Sequence, residues 1–169
     1  MADAPALVVG AGVGGLTTAL CLARQGWAVV LVERAPLIEG VGAGLQISPN
    51  ASRVLIDLGL EERLSALAFT PEAIEMRDGL TSEVAGKNRC RRCGLGALHR
   101  HLHRGDSIAV LLDAAVAHPL IDIRTGTEAV SVDQDGEPVR LATAIEDYDG
   151  ALLVGADAYS LAHSDGAFR

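Results

Sequence analysis

The sequence lacks several features that would each define a class of protein. It has only three cysteines, Cys21, Cys90 and Cys93, and this small, odd number does not provide a disulfide framework. Acidic residues outnumber basic ones, and the net charge of −8 at pH 7 argues against general nucleic-acid binding. No internal repeat, low-complexity tract, domain linker or targeting segment is apparent. These absences favour a single cytoplasmic domain with no nucleic-acid or membrane partner.

A long, uninterrupted hydrophobic run is also missing. The most apolar stretch, residues 4–23, follows Asp3, has no basic start and is interrupted by glycines. It therefore predicts buried strand and helix rather than a membrane span or a signal peptide.

That same stretch contains the feature around which the chain is organised. The apolar run Ala6-Leu7-Val8-Val9 leads directly into Gly10-Ala11-Gly12-Val13-Gly14-Gly15. A helix-period pattern follows up to Gly26, and Ala28-Val29-Val30-Leu31-Val32 reads as a second buried strand that ends on Glu33-Arg34. This order predicts a dinucleotide-binding βαβ unit, in which a strand, a glycine turn, a helix, a second strand and an acid follow one another.

Each glycine of this turn has a physical role in such a unit. Gly10 allows the tight turn, Gly12 lets a pyrophosphate approach the backbone, and Gly15 lets the helix pack closely. The helix N-terminus offers free N–H groups to phosphates. Glu33 follows Gly15 by 18 residues, a spacing that suits hydrogen bonds to a ribose diol. The acid suits the ribose of NAD as well as that of FAD, so it does not separate the two cofactors.

The sequence predicts further elements after this unit. Residues 35–49 predict a glycine-rich loop whose backbone passes close to a ligand, or a flexible connection. Ser48 and Pro49 predict a helix start, with Ala51, Val54, Leu55 and Leu58 on one face and Gly59 at its end. Hairpins are predicted for 73–84 around Asp78-Gly79 and for 128–144 around Asp135-Gly136. The pattern also predicts a helix capped by Asp106 or Ser107, then a strand at 120–124 and a last strand at 151–154.

A basic segment interrupts this pattern. Six basic residues with no acid among them lie at Lys87, Arg89, Arg91, Arg92, Arg100 and Arg104. Two cysteines, Cys90 and Cys93, are followed by His99, His101 and His103. This pattern suggests a zinc site as an alternative, although the spacing from Cys93 to His99 is short. Thiol redox chemistry is a further alternative, because nearby arginines lower a cysteine pKa. We expect residues 86–103 to form a solvated, mobile, metal-free loop.

Several short stretches together resemble one family, the FAD-dependent aromatic-ring hydroxylases and especially their salicylate-hydroxylase-like group. They occur in family order and cover about residues 5–157. The stretches are Gly10–Gly15, Glu33-Arg34, Gly42-Ala43-Gly44-Leu45-Gln46-Ile47-Ser48-Pro49-Asn50-Ala51, Met76-Arg77-Asp78-Gly79, His103-Arg104-Gly105-Asp106 and Leu153-Val154-Gly155-Ala156-Asp157.

The resemblance implies an α/β fold, in which a Rossmann-like FAD-binding βαβ sheet is joined by antiparallel hairpins. It also implies roles for matching residues. Glu33 would hold the adenosine ribose, Arg34 would lie near the adenine, and Arg104 would contact the phosphates or ribityl chain. The implied cofactor-binding residues are Gly10, Gly12, Val13, Gly14, Gly15, Glu33, Arg34, Gly42, Ala43, Gly44, Arg104 and Asp157.

Two departures from the family pattern matter. The family has a glycine after Gly155-Ala156-Asp157, then a serine and an arginine, whereas Ala158 stands here and the pattern does not continue. The family also has roughly as much sequence again, which carries most of the substrate sheet. We therefore expect residues 1–169 to be the N-terminal portion of an FAD-binding domain, truncated before the substrate-covering half.

The implied function is hydroxylation of a phenol- or salicylate-like aromatic with FAD, NAD(P)H and oxygen, and we expect the isolated chain to be inactive. No side chain can be assigned as the catalytic acid or base. The alternatives are a nicotinamide-dependent dehydrogenase domain and a non-catalytic nucleotide-binding remnant. An exposed sheet face would favour self-association.

Overall fold

The computed structural model describes residues 4–40, 42, 44–89 and 99–157. The strands of these ranges are β1 (Ala6–Val9), β2 (Val29–Val32), β3 (Gly44–Ile47), β4 (Ala73–Arg77), β5 (Val84–Arg89), β6 (Arg100–His103), β7 (Ile121–Arg124), β8 (Ala129–Asp133), β9 (Val139–Thr143), β10 (Tyr148–Gly150) and β11 (Leu152–Gly155). The helices are α1 (Val13–Arg24), α2 (Pro49–Asp57), α3 (Glu61–Leu67) and α4 (Arg104–Val116). Among the described residues, no helix has the length and apolar character needed to cross a membrane.

The chain divides into two compact units. One comprises Met1–Gly40 with Ile108–Arg169, and the other comprises Val41–Ser107. The prediction of an α/β fold with antiparallel hairpins is confirmed, since parallel and antiparallel sheets are both present.

The first unit is built on a parallel sheet. Its strand order is β11-β1-β2-β7, so the two strands of the βαβ unit lie at its centre. Both are apolar along their whole length because both faces are covered. Helix α1 buries Gly15, Leu16, Ala19, Leu20 and Ala23, which share one face at spacings of three and four.

A three-stranded antiparallel sheet, β10-β9-β8, packs in the same unit. Leu141 of β9 is fully buried in one cluster with Leu7, Val9 and Val32 of the parallel sheet. Gly150 lies so close to Leu7 that a Cβ built on it would be 2.5 Å from the Leu7 Cγ. The hairpin predicted for 128–144 is confirmed as β8 and β9, and β10 was not predicted.

The second unit contains two antiparallel pairs, β3-β6 and β4-β5, together with α2 and α3. Helix α2 begins as predicted, because Ser48 is its N-cap and accepts a hydrogen bond from the Ala51 N–H at 3.4 Å. Its predicted buried face is partly wrong. Ser52 and Leu55 are buried, whereas Val54 is 39% exposed.

Other boundaries also differ from the predictions. The second strand of the first hairpin begins at Val84 instead of ending there, because the Asp78 carboxylate accepts N–H bonds from Leu80 and Thr81 and so organises a longer turn. The helix cap predicted at Asp106 or Ser107 is wrong, because α4 begins earlier, at Arg104. Ser107 lies inside its first turn, where its hydroxyl donates to the His103 carbonyl. Strand β3 lies within the stretch predicted as a loop, and α3 was not predicted.

Candidate functional site

The glycine turn joins β1 to α1 and adopts a shape that only glycine tolerates at its first position. Gly10 has φ +98°, and a Cβ built on it would be 2.9 Å from the Ala156 carbonyl carbon and from the Asp157 Cα. Both the backbone angle and the space therefore require glycine at this position. The contact also places Asp157 beside the turn, just after β11.

The remaining glycines of the turn fall into two kinds. A Cβ on Gly15 would lie 1.7 Å from the Gly10 carbonyl oxygen, so this glycine allows the helix to approach the turn. By contrast, among the described residues no heavy atom beyond the chain neighbours and the backbone of the same helix lies within 4 Å of a Cβ built on Gly12 or Gly14. Packing within the chain explains the glycine at position 15, but it does not explain those at 12 and 14.

The start of α1 has the electrostatic character of an anion site. Gly12 is its N-cap and Val13 its first residue, no side chain caps it, and its first turn has no acid. The first N–H groups of a helix have no partners within the helix, and the helix dipole adds a partial positive charge there. A phosphate group beside Gly12 would meet both features.

Glu33 lies directly after β2, next to the same turn. One of its carboxylate oxygens accepts a hydrogen bond from the Ala11 N–H at 2.8 Å, and the other accepts from the Ala35 N–H at 2.9 Å. A carboxylate has about four acceptor positions, so further hydrogen bonds to a ligand remain available. The sequence did not predict that Ala11 anchors this acid, since a backbone N–H leaves no signal in the pattern of side chains.

Arg34 follows Glu33 and is exposed. The Glu33 N–H donates to the Arg124 carbonyl at 2.9 Å, and the Thr127 N–H donates to the Glu33 carbonyl at 2.8 Å. The segment after β7 therefore continues alongside the end of β2. In open parallel sheets, this carboxyl edge is where ligands bind.

The second unit brings together two more of the predicted residues. Gly42 has φ +134°, and a Cβ built on it would be 3.5 Å from the Arg104 Cδ. Gly44 pairs with His103 in the β3-β6 ladder, directly before Arg104 begins α4. The backbone at Gly42 and Gly44 and the Arg104 side chain thus belong to one local arrangement. Ala43, which was also predicted for the cofactor site, lies outside the described residues.

At both ends of the basic segment, the prediction of a loop is wrong. Residues 84–89 form β5 and residues 100–103 form β6. The Lys87 ammonium contacts the Glu75 carboxylate at 2.7 Å and, with Arg77, holds the pKa of Glu75 below its ordinary value. Arg100 is only 3% exposed, and its Nη2 lies 2.8 Å from a Glu61 carboxylate oxygen.

The zinc and thiol alternatives rest on Cys90 and Cys93, which lie outside the described residues, as does Ala158. Within the part of the chain that the structure covers, no three His, Cys, Asp or Glu residues form a group suited to a metal ion. The zinc alternative therefore stays a hypothesis.

Comparison with known proteins points to the same cofactor. The family model described as "FAD binding domain" matches residues 3–158. The chain is 35% identical over 159 residues to a 3-hydroxybenzoate 6-hydroxylase of Klebsiella oxytoca, covering 90% of this chain and 39% of that protein. It is 31% identical to a 6-hydroxynicotinate 3-monooxygenase of Bordetella bronchiseptica, covering 89% and 39% of the two chains.

A solved structure of 2-methyl-3-hydroxypyridine-5-carboxylic acid oxygenase superposes with a TM-score of 0.77 at 30% identity, covering 92% of this chain and 40% of that one. The p-nitrophenol 4-monooxygenase of Pseudomonas putida DLL-E4 gives a TM-score of 0.80 at 22% identity, which shows a shared fold. The chain thus spans about two fifths of the length of the curated relatives that it matches, 39% for both the Klebsiella and the Bordetella protein. With almost the whole chain matched by the family model, this protein belongs to the family of FAD binding domains.

Proposed function

We propose that this chain is the FAD-holding part of a flavin-dependent monooxygenase that hydroxylates a phenol- or salicylate-like aromatic compound with NAD(P)H and oxygen. The observation that carries the proposal is the open, uncapped start of α1 at Gly12, with the Glu33 carboxylate fixed beside it. FAD, when bound, supplies the redox chemistry, and the protein supplies binding and orientation.

The residues of the first unit fit the adenosine and diphosphate parts of the cofactor. The backbone of the turn and the start of α1 would hold the diphosphate, and a side chain at position 12 would occupy its space. The free acceptor positions of Glu33 would receive the ribose hydroxyls, and Arg34 would lie on the adenine side. The proposed residues of this unit are Gly10, Gly12, Val13, Gly14, Gly15, Glu33, Arg34 and Asp157.

The residues of the second unit fit the flavin side. The Arg104 guanidinium is a fixed positive charge at the start of a helix, suited to the phosphates or the ribityl chain. We propose that the backbone at Gly42 and Gly44 approaches the cofactor closely, and the contact of Ala43 stays a prediction from the family resemblance. We propose that residues 1–169 together act as one FAD-binding domain.

The substrate class rests on the relatives, which are named for hydroxylation of hydroxybenzoates and hydroxynicotinate. We propose that the residues that cover the substrate lie in the part of the relatives' length that this chain does not span. The isolated chain then binds FAD weakly, does not hydroxylate and self-associates through exposed apolar side chains. Its proposed location is the cytoplasm.

A glycine replacement tests the cofactor site. Gly12→Val should weaken FAD binding strongly, because its side chain would occupy the space of the diphosphate. The fold should be kept, because the added Cβ has no other described residue within 4 Å apart from its chain neighbours. Fluorescence titration of the apoprotein with FAD measures the affinity. Gly136→Val is the matched control, since its Cβ also meets nothing within 4 Å. Equal FAD affinity of Gly12→Val and the parent would show that the site is wrongly placed.

The proposed inactivity has its own test. Oxygen uptake is measured with NADH or NADPH and with salicylate or 3-hydroxybenzoate, followed by product analysis. We expect no hydroxylated product from the purified 169-residue chain. Stoichiometric formation of hydroxylated product would contradict our proposal that the residues that cover the substrate lie in the part of the relatives that this chain does not span.

A further inference from the structure

The turn that follows β7 is bonded to the backbone that follows β2, and both segments belong to the first unit. The Thr127 N–H donates to the Glu33 carbonyl at 2.8 Å, and the Gly126 N–H donates to the Ala35 carbonyl at 3.0 Å. These two bonds hold the peptide groups that precede and follow the one bearing the Ala35 N–H.

The peptide group held between them is one of the two that anchor the Glu33 carboxylate. The Ala35 N–H donates to one carboxylate oxygen at 2.9 Å, and the Ala11 N–H of the glycine turn donates to the other at 2.8 Å. A peptide group is planar, so fixing the groups on both of its sides fixes the direction of its N–H. The turn after β7 therefore acts on the position of the Glu33 carboxylate.

This turn contains one residue more than a regular ladder would. The Glu33 N–H donates to the Arg124 carbonyl, so a regular parallel ladder would bring the N–H of position 126 to the Glu33 carbonyl. The Thr127 N–H takes that place instead. The extra residue frees the Gly126 N–H to reach the Ala35 carbonyl.

The extra residue depends on the backbone conformation of Gly126. Its φ is +66°, in the left-handed region that other residues rarely adopt. Among the described residues, no heavy atom beyond its chain neighbours lies within 4 Å of a Cβ built on it. The backbone angle, and not a lack of space, is what favours glycine at this position.

The side chain of Thr127 closes the same turn. The residue is only 4% exposed, and its hydroxyl donates to the Thr125 carbonyl at 3.3 Å. A buried hydroxyl that is paired within its own turn stabilises that turn in one conformation. This conformation is the one that directs the Thr127 N–H to the Glu33 carbonyl.

From these contacts we infer that Gly126 is a positioning residue for a nucleotide ribose. Its turn fixes the Glu33 carboxylate where the free acceptor positions meet the ribose hydroxyls. The inference rests on the proposed function in so far as the ribose is that of FAD. It goes further because it assigns ribose selection to a residue that is remote from the glycine turn in the sequence and that acts only through Glu33.

The test compares two nucleotides on the 169-residue chain by isothermal titration calorimetry. ADP contains the ribose and diphosphate of the adenosine half of FAD, and 2′,3′-dideoxy-ADP lacks the ribose hydroxyls. The parent should bind ADP at least about tenfold more tightly, because hydrogen bonds to a charged acceptor are lost in the analogue. In Gly126→Val this ratio should fall to about threefold or less, because a β-branched residue disfavours the left-handed angle and displaces the turn.

The ratio separates positioning from a general loss of stability. A smaller folded fraction would weaken the binding of both nucleotides equally and leave the ratio unchanged. Gly126→Asn should keep the ratio of the parent, because asparagine tolerates the left-handed region. The matched control is Gly136→Val, at a glycine that also has open space and no positive φ. A Gly126→Val variant with the full ratio of the parent would overturn the positioning role.

Amide hydrogen exchange without nucleotide separates this inference from the cofactor proposal. The Ala35 N–H should exchange about tenfold faster in Gly126→Val than in the parent, as expected for a weakened hydrogen bond, while the amides of β1 should be unchanged. Unchanged exchange at Ala35 would overturn the positioning role, whether or not ADP binds. A parent chain that binds neither FAD nor ADP, but whose Ala35 exchange depends on Gly126, would overturn the cofactor proposal and leave the positioning of Glu33 in place.

Discussion

Single glycines decide whether the first unit can form and whether a ligand can reach it. Gly10 and Gly15 are required by the chain itself, because a Cβ at either position would meet backbone atoms at 2.9 Å or closer. Gly12 and Gly14 face open space. The same sequence motif therefore contains glycines with a folding role and glycines that keep room for a ligand.

Replacement of Gly15 by alanine should destabilise the chain strongly. Its Cβ would lie 1.7 Å from the Gly10 carbonyl oxygen, so α1 or the turn must move. We expect a loss of about 3 kcal/mol in the free energy of unfolding, at the upper end of overpacking effects, measured by urea denaturation. Gly14→Ala is the matched control, and it should leave stability unchanged or raise it by up to about 1 kcal/mol, because alanine is the better helix former. Equal stabilities of the two variants would contradict the packing argument.

Replacement of Glu33 by alanine should destabilise the chain even when no FAD is added. The carboxylate accepts N–H bonds from both Ala11 and Ala35, and hydrogen bonds to charged groups contribute about 1.5–3 kcal/mol each. Partial exposure reduces this, so we expect a total loss of about 1–3 kcal/mol in urea denaturation. The exposed Glu39 provides the control variant Glu39→Ala. If Glu33→Ala lowered FAD affinity and left stability unchanged, the acid would act on the ligand alone.

At the scale of elements, the strand β6 shows how a charged residue becomes part of a core. Arg100 has a side chain only 4% exposed, whereas its partner Glu61, at the start of α3, is 49% exposed. Within the described part of the chain, the Arg100 Nη1 is a buried atom without a hydrogen-bond partner. The pair thus ties α3 to β6 with one partner buried and the other in contact with solvent.

This asymmetry predicts unequal effects of removing the two partners. Glu61→Ala leaves a buried guanidinium without a counter-charge, and we expect a cost of about 1–3 kcal/mol, below the value for a fully buried pair because water reaches the Glu61 side. Arg100→Met leaves a carboxylate that water solvates, and it removes an unsatisfied Nη1, so its cost should be clearly smaller. Urea denaturation of both variants and of the neighbouring control Glu62→Ala measures this order. A larger loss for Arg100→Met than for Glu61→Ala would contradict it.

For the whole molecule, carboxylates in both units are held in their charged form. The Arg140 guanidinium donates to the Asp149 carboxylate at 2.9 Å in the first unit and lowers the pKa of Asp149. In the second unit, Lys87 and Arg77 lower the pKa of Glu75, and the backbone N–H groups of Thr81 and Leu80 lower that of Asp78. These groups are exposed, so each contributes little by itself.

The lowered pKa values predict the direction of the pH dependence. A carboxyl group whose pKa is lower in the folded chain than in the unfolded chain stabilises the fold above its unfolded pKa, which is about 4. That stabilisation is lost as the pH falls through the folded pKa. We expect the melting temperature to fall on acidification below about pH 4 and the fall to be shallower in Asp149→Asn. Identical pH profiles of parent and variant would exclude a contribution of the Arg140–Asp149 pair.

The sequence by itself determined the βαβ unit, the start of α2, the hairpin of β8 and β9, and the family. These features depend on neighbours along the chain: the apolar runs, the glycine turn and the acid of the first unit lie within 30 residues of one another. The local sequence also specified the capped start at Ser48 and Pro49. The proposed cofactor residues of the glycine turn and Glu33 therefore follow from the local pattern of the sequence alone, whereas Arg34 and Asp157 rest on the family resemblance.

Only the tertiary structure decided how remote residues come together. In the sequence, Arg100 is one of a cluster of basic residues that predicts an exposed segment. In the structure its side chain is buried, with an ion pair to Glu61, which is 39 positions away. The pairing of His101 with Gln46 on one side and with Phe69 on the other depends on strand register, and the weak period of residues 86–104 gave no sign of β6. Strand β3 was hidden because glycines that favour a loop by propensity are held in a ladder by the facing strand. Pairing between distant segments has no local signature, and for that reason the sequence could not supply it.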